Sequence, residues 1–205
     1  MRGLVGDWPA VRAARQSPQA LVDHLGAFDQ GRPVRVIVTD PSEEGRFFYD
    51  DALTRLNFRK HEGTVSQVLA RLLAPSDGSA FAAQAVTAPD ILPGFSAANP
   101  SPLVDDDVPA RLWISTQAVV QTHYDLYDNI ACAVSGRRRF ILFPPEQAPN
   151  LYLGPLEHTP AGAPVSMVRL DAPDLERFPR FPTAWAAAQV ADLAPGDALF
   201  IPFMW

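Results

Sequence analysis

Apolar positions recur at helical spacing early in the chain. Ser17-Pro18 supplies an N-cap and a first helical residue, and Leu21, Val22, Leu25 and Phe28 then form one stripe up to a stop at Gly31. A second helix is predicted from Thr64, with Gln67 as its capping-box partner, through Val65, Val68, Leu69, Leu72 and Leu73 to a break at Pro75. Between them Pro33–Thr39 reads as a strand ended by the turn residues Asp40-Pro41-Ser42. Phe81–Val86 and Leu112–Ser115 are further strands, and the Pro- and Asp-rich run from Pro89 to Pro109 reads as a long connection at the entrance to a site. Gln147 to Ala194 reads as largely irregular, with one short helix near Thr183–Ala188. Pro195-Gly196-Asp197 is then a turn opening a buried strand, Ala198–Ile201. Short strands between Pro/Gly turns predict an all-β sandwich or barrel with helices added at the N-terminal end.

Chemistry enters at Gln121-Thr122-His123-Tyr124-Asp125. Ala118–Val120 before it and Asn129–Val134 after it are strand-forming, and in an extended strand residues i and i+2 share a face. His123 and Asp125 would then present an imidazole and a carboxylate side by side, two of the three ligands of a 2-His-1-carboxylate iron site. With 4 His in the chain, a His-x-Asp triplet arises by chance in roughly one such sequence in three. A structural histidine is therefore the competing explanation of the triplet taken alone. Ser135-Gly136 reads as a two-residue hairpin loop leading into Arg137–Phe143 and the stop at Pro144-Pro145. That register puts Arg138 on the face of Ala133, Ala131 and Asn129. If the face is interior, a buried guanidinium requires an anion, and a bound carboxylate would satisfy it. An exposed tip with three solvated arginines is the alternative.

Composition narrows the classes. A 205-residue chain of 47% hydrophobic residues suits one globular domain. A net charge of -6 argues against a general binder of nucleic acid or of anionic membranes. The single cysteine, Cys132, has no partner for an internal disulfide and reads as a small buried hydrophobe. No signal peptide or membrane-length apolar stretch is visible, which points to a cytoplasmic protein.

Taken together, several ordered motifs resemble the cupin-like JmjC family of Fe(II)/2-oxoglutarate-dependent dioxygenases, in particular its asparaginyl hydroxylase branch. They are His123-Tyr124-Asp125, Asn129 four residues on, Gly136–Phe140 followed by Ile141-Leu142-Phe143-Pro144-Pro145, Asp174-Leu175-Glu176-Arg177-Phe178-Pro179, and Pro195–Pro202. The resemblance implies a mainly β fold, a double-stranded β-helix (jelly roll) with N-terminal helices. Residues 1–75 would form its helical and mixed part and 76–205 its β-helix core. It implies Fe(II) bound by His123 and Asp125, Asn129 beside the cosubstrate 2-oxoglutarate, and Arg138 paired with the distal carboxylate of that keto acid. Phe81 falls near a cosubstrate-contacting tyrosine of the family and lacks its hydroxyl. The family's third ligand is a histidine in a Trp-Trp-His sequence, and this chain stops at Trp205, two residues short. His24, His61 and His158 lie in no matching motif, so a truncated chain without its closing strands is expected. The implied activity is hydroxylation of a protein or peptide side chain, or of a small molecule, coupled to decarboxylation of 2-oxoglutarate. Alternatives are a non-catalytic cupin-fold binding protein, an inactive truncated form, or another metal-dependent cupin chemistry. The partners expected are the substrate alone, without nucleic acid or membrane, and a homodimer is left open.

Overall fold

The computed structural model describes all residues except 51, 75, 106, 158 and 160–162, so the helix break at Pro75 and the spare histidine His158 lie outside the described residues. Two helices open the chain, α1 (Pro9–Gln16) and α2 (Pro18–Gly26), each with proline in its first turn, where its missing N–H costs nothing. The Ser17 hydroxyl caps α2 as expected, accepting from the Ala20 N–H at 3.0 Å. The helix stops at Gly26, short of Gly31, because Phe28 and Asp29 make tighter i→i−3 bonds to Leu25 and Gly26. Phe28 still packs inward, edge-on to Phe95 at 6.0 Å.

β1 (Pro33–Thr39) follows, then the two-residue β2 (Arg46–Phe47) and β3 (Phe58–Thr64). β3 carries no apolar alternation, since Arg59, Lys60, His61 and Glu62 are all exposed. A full antiparallel ladder to β1, from Pro33 opposite Thr64 to Thr39 opposite Phe58, makes it a strand. Its charges protect an open sheet edge. α3 (Val65–Leu73) begins at Thr64 with both bonds of the capping box. β4 (Phe81–Thr87) and β5 (Arg111–Ser115) complete a four-stranded antiparallel sheet of order β3-β1-β4-β5. The helices cover one face of it, burying Leu21, Leu25, Val65, Val68 and Leu69 against Val34, Val36 and Ala83. The sheet draws strands from both sides of residue 75.

The run from Pro89 to Pro109 is more than a connection. It holds two short helices, α4 (Ala88–Ile91) and α5 (Phe95–Ala98), and buries Leu92 and Phe95 in the main core. Asn99, also buried, accepts from the Ala10 N–H at 3.1 Å and so ties this stretch to α1. Sequence periodicity misses such elements because four residues make barely one turn.

In the second half, β6 (Val119–Val120) pairs parallel with β2, β7 (Asn129–Cys132) with β10 (Ala198–Ile201), and β8 (Arg138–Leu142) with β9 (Gln189–Leu193). The hairpin expected across Ser135-Gly136 is therefore incorrect. Ala133 continues the β7–β10 ladder into the next turn, donating to the Asp197 carbonyl at 2.9 Å and accepting from Gly196 at 2.8 Å. The turn at Gly136, whose φ of 71° suits glycine, then sends β8 to a different partner. In the proline-rich stretch the short helix expected near Thr183–Ala188 forms two residues earlier, as α6 (Phe181–Ala186), and β9 adds a strand that the composition does not suggest. β10 is only partly buried, with Phe200 half exposed. The strands form one four-stranded and three two-stranded sheets among the described residues, not closed into a barrel, a mainly β arrangement of the cupin or jelly-roll kind. No helix among the described residues is long and apolar enough to cross a membrane.

The turn before β10 is clasped by the N-terminal segment. The Asp197 carboxylate accepts from the backbone N–H groups of Gly3 (2.9 Å) and Ala194 (3.0 Å) and pairs with Arg2 at 2.5 Å. These bonds to the charged form hold its pKa at about 2, against the usual 3.8. A depressed carboxylate stabilises the fold above its unfolded pKa and loses that contribution as pH falls through the folded value. Asp197→Asn should therefore lower the thermal midpoint by several degrees at neutral pH. In melts across an acid series the difference from wild type should shrink between about pH 4 and 2; a gap independent of pH would count against the clasp.

Candidate functional site

Beyond β6 the chain is not a continuous strand. His123 makes a single antiparallel bridge to Val165, and Asp125 lies outside any ladder. The same-face relation expected of residues i and i+2 in a strand therefore does not apply to this pair. His123 sits instead in a small arrangement of three hydrogen-bonded segments. Ser166 donates its N–H to the Thr122 carbonyl at 2.8 Å, and the 165–167 segment bonds on its other side to Tyr152 and Gly154.

Gln121 fixes this arrangement. Its buried side chain donates to the carbonyls of Ser166 (2.9 Å) and Val168 (2.5 Å). The fully buried Ser166 hydroxyl donates to the Leu151 carbonyl at 2.5 Å and accepts from Val168. The Gln121 carbonyl in turn lies 2.8 Å from His123 Nδ1. With the Nδ1 proton given to a carbonyl, Nε2 keeps its lone pair for a metal, the usual arrangement behind a histidine ligand. Asp125 is exposed, with one oxygen accepting from Asn129 Nδ2 at 3.2 Å; its backbone carbonyl accepts from Met204. Asn129 thus braces Asp125, and is not among the residues lining the pocket around Arg138.

An imidazole nitrogen and a carboxylate oxygen suit iron(II), and His123 and Asp125 could supply one of each. Among the described residues no group of three or more His, Cys, Asp or Glu side chains is assembled. His24 is on α2 with its ring edge-on to Phe28, and His61 is on β3 against Phe81.

The second focus is Arg138. Alternation from Arg137 into β8 separates the three arginines. Arg137 and Arg139 are exposed, and Arg139 forms a two-pronged pair with Asp192 across to β9 at 2.7 and 2.9 Å. Arg138 is half-buried and lines a pocket with Phe47, Gln84, Trp113, Ile114, Ser115 and Val120. Its guanidinium stacks 5.4 Å from the Phe140 ring centroid, and no acidic side chain pairs with it among the described residues. Burial lowers its pKa, yet a guanidinium remains charged. The parity of β8, not a hairpin to β7, turns Arg138 inward. Val120, in this pocket's wall, is three residues from His123, at most about 10 Å along an extended chain. Val120 also borders an open cavity of about 400 Å³ lined by Glu44, Arg46, Gln121, Ile141 and Asp171.

The sequence motifs assign no role to Gln121 or Ser166. Gln121 lies beside His123 in the same stretch, whereas nothing in the sequence marks Ser166, whose role depends on contacts with distant segments.

The sequence profile of the Cupin-like domain matches residues 1–205. Among curated proteins the chain is 38% identical over 96 residues to lysine-specific demethylase JMJ31 of Arabidopsis thaliana, covering 46% of this chain and 17% of that protein. It is 39% identical over 84 residues to the mouse (Mus musculus) tRNA wybutosine-synthesizing protein 5, covering 41% of this chain and 24% of the relative. Against human (Homo sapiens) HSPB1-associated protein 1 it is 41% identical over 98 residues, 47% of this chain and 20% of that protein. The matches thus span less than a quarter of each relative's length.

Proposed function

From the premise that this chain belongs to the cupin-like domain family, of JmjC type, we propose that it is an Fe(II)- and 2-oxoglutarate-dependent oxygenase that hydroxylates a protein or peptide side chain. The observation that carries the proposal is Arg138, an inward cation without a carboxylate of its own in an apolar-walled pocket close in sequence to His123. A partly desolvated charge without a partner is costly, and a bound ligand can supply its counterion.

In this proposal His123 Nε2 and the Asp125 carboxylate would hold the iron, and Asn129 braces that carboxylate through its hydrogen bond. Gln121 fixes the histidine tautomer through its own carbonyl. Arg138 receives the distal carboxylate of 2-oxoglutarate as a two-pronged pair, and Phe47, Ile114 and Val120 exclude water from it. Bound iron and keto acid supply the oxygen activation, coupled to loss of carbon dioxide; the protein's share is placement and exclusion of side reactions. The printed names of the relatives divide between a lysine demethylase and a tRNA-modifying protein. A net charge of -6 favours a protein over an RNA substrate here.

The test is succinate formation by the full-length protein with added Fe(II) and 2-oxoglutarate, with and without peptide substrates. Turnover dependent on both is the expected result. Its absence, coupled or uncoupled, would leave a cupin-fold binding protein as the better description.

A further inference from the structure

β3 ends the sheet of order β3-β1-β4-β5, so one row of its backbone N–H and C=O groups faces away from β1. No strand or bridge among the described residues pairs with that outer edge. His61 shares the helix-covered face with its register partner Val36, yet Val36 is buried and His61 is exposed, as are Arg59, Lys60 and Glu62. The helices stop short of this strand, and another chain can reach its edge.

Lysine on an edge ordinarily deters pairing. Here the order of charges deters every self-pairing register but one. In an antiparallel ladder two opposed residues turn their backbone groups both toward each other or both away, so two copies of one strand can meet only in registers centred on a residue. Centred on Arg59, Lys60 or Glu62, the pairing sets like charges against each other across the axis. Centred on His61, it sets Lys60 of each copy opposite Glu62 of the other, and Arg59 opposite Gly63, which has no side chain to obstruct it. His61 is also the middle residue of Phe58–Thr64, so the same register overlaps the whole strand.

We propose that β3 is a homodimer interface, two copies pairing antiparallel about a two-fold axis through His61 and joining their four-stranded sheets into one continuous sheet. The two Lys60–Glu62 pairs are exposed, so they set register and self-recognition more than strength. A ladder of this length without an apolar centre is a small interface, and the dimer is reversible.

The experiment is analytical ultracentrifugation of the full-length protein over a concentration series. Wild type should show a monomer–dimer equilibrium that added salt weakens. Lys60→Glu and Glu62→Lys each oppose like charges at both pairs and should raise the dissociation constant about tenfold. The double reversal restores opposite charges and should return it to within about threefold of wild type. Mixing the two single variants should give a mixed dimer tighter than either variant forms alone, because two glutamates then face two lysines. Amide exchange of residues 59–63 in wild type, which needs no substitution, should slow as concentration rises, and melts of each variant confirm that its monomer is folded. A monomeric wild type would overturn the proposal and leave the edge to a strand of a different protein. So would a dimer indifferent to the reversals, a mixture no tighter than its components, or exchange independent of concentration.

Discussion

Arg138→Ala should weaken 2-oxoglutarate binding by about 100-fold or more while leaving Fe(II) affinity within a few-fold. The figure follows from the ~3 kcal/mol or more typical of truncating one partner of a buried, hydrogen-bonded charge pair. Stability should move the other way. Because Arg138 has no acidic partner among the described residues, the ligand-free variant loses no ion pair and sheds a partly desolvated charge. Its thermal midpoint should therefore hold or rise. Arg138→Lys keeps the charge and loses the planar fork, so an intermediate loss of about tenfold is expected. Calorimetry with the keto acid and with the metal separates these effects. Metal affinity falling further than keto-acid affinity would rule out the anchor.

His123→Ala should reduce metal affinity by at least about 100-fold and bring succinate formation to background, because it removes the proposed nitrogen donor, whose Nδ1 lies against the Gln121 carbonyl. The fold should survive the change, since the bridge to Val165 is made by backbone and the Gln121 contacts to Ser166 and Val168 do not involve the imidazole. Metal binding followed by calorimetry, beside a melt of the same sample, distinguishes a lost ligand from a lost fold. A variant that kept iron and activity would overturn the assignment of this histidine.

The two halves of the candidate site were unequally legible. His123-Tyr124-Asp125 could be picked out, with two donors at a familiar spacing, but not its setting. Strand-forming neighbours suggested an extended strand, whereas β6 ends at Val120 and only His123 finds a bridge, to a segment some forty residues on. A hairpin across Ser135-Gly136 would turn Arg138 inward but does not form; Arg138 turns inward because β8 alternates faces whatever its partner.

What the sequence determined by itself is local or cumulative. The Ser17 and Thr64 caps, the bounds of β1, the Pro-Gly-Asp turn before β10 and the ordered family motifs depend on neighbours within a few residues or on the order of motifs along the chain. Pairing was left to the tertiary structure. It made a strand of the charged β3 and separated β7 from β8 by giving each a distant partner. The physical reason is that backbone hydrogen bonds carry no side-chain signature. Any strand can satisfy its N–H and C=O groups on any other, and only burial of the whole chain selects among the pairings.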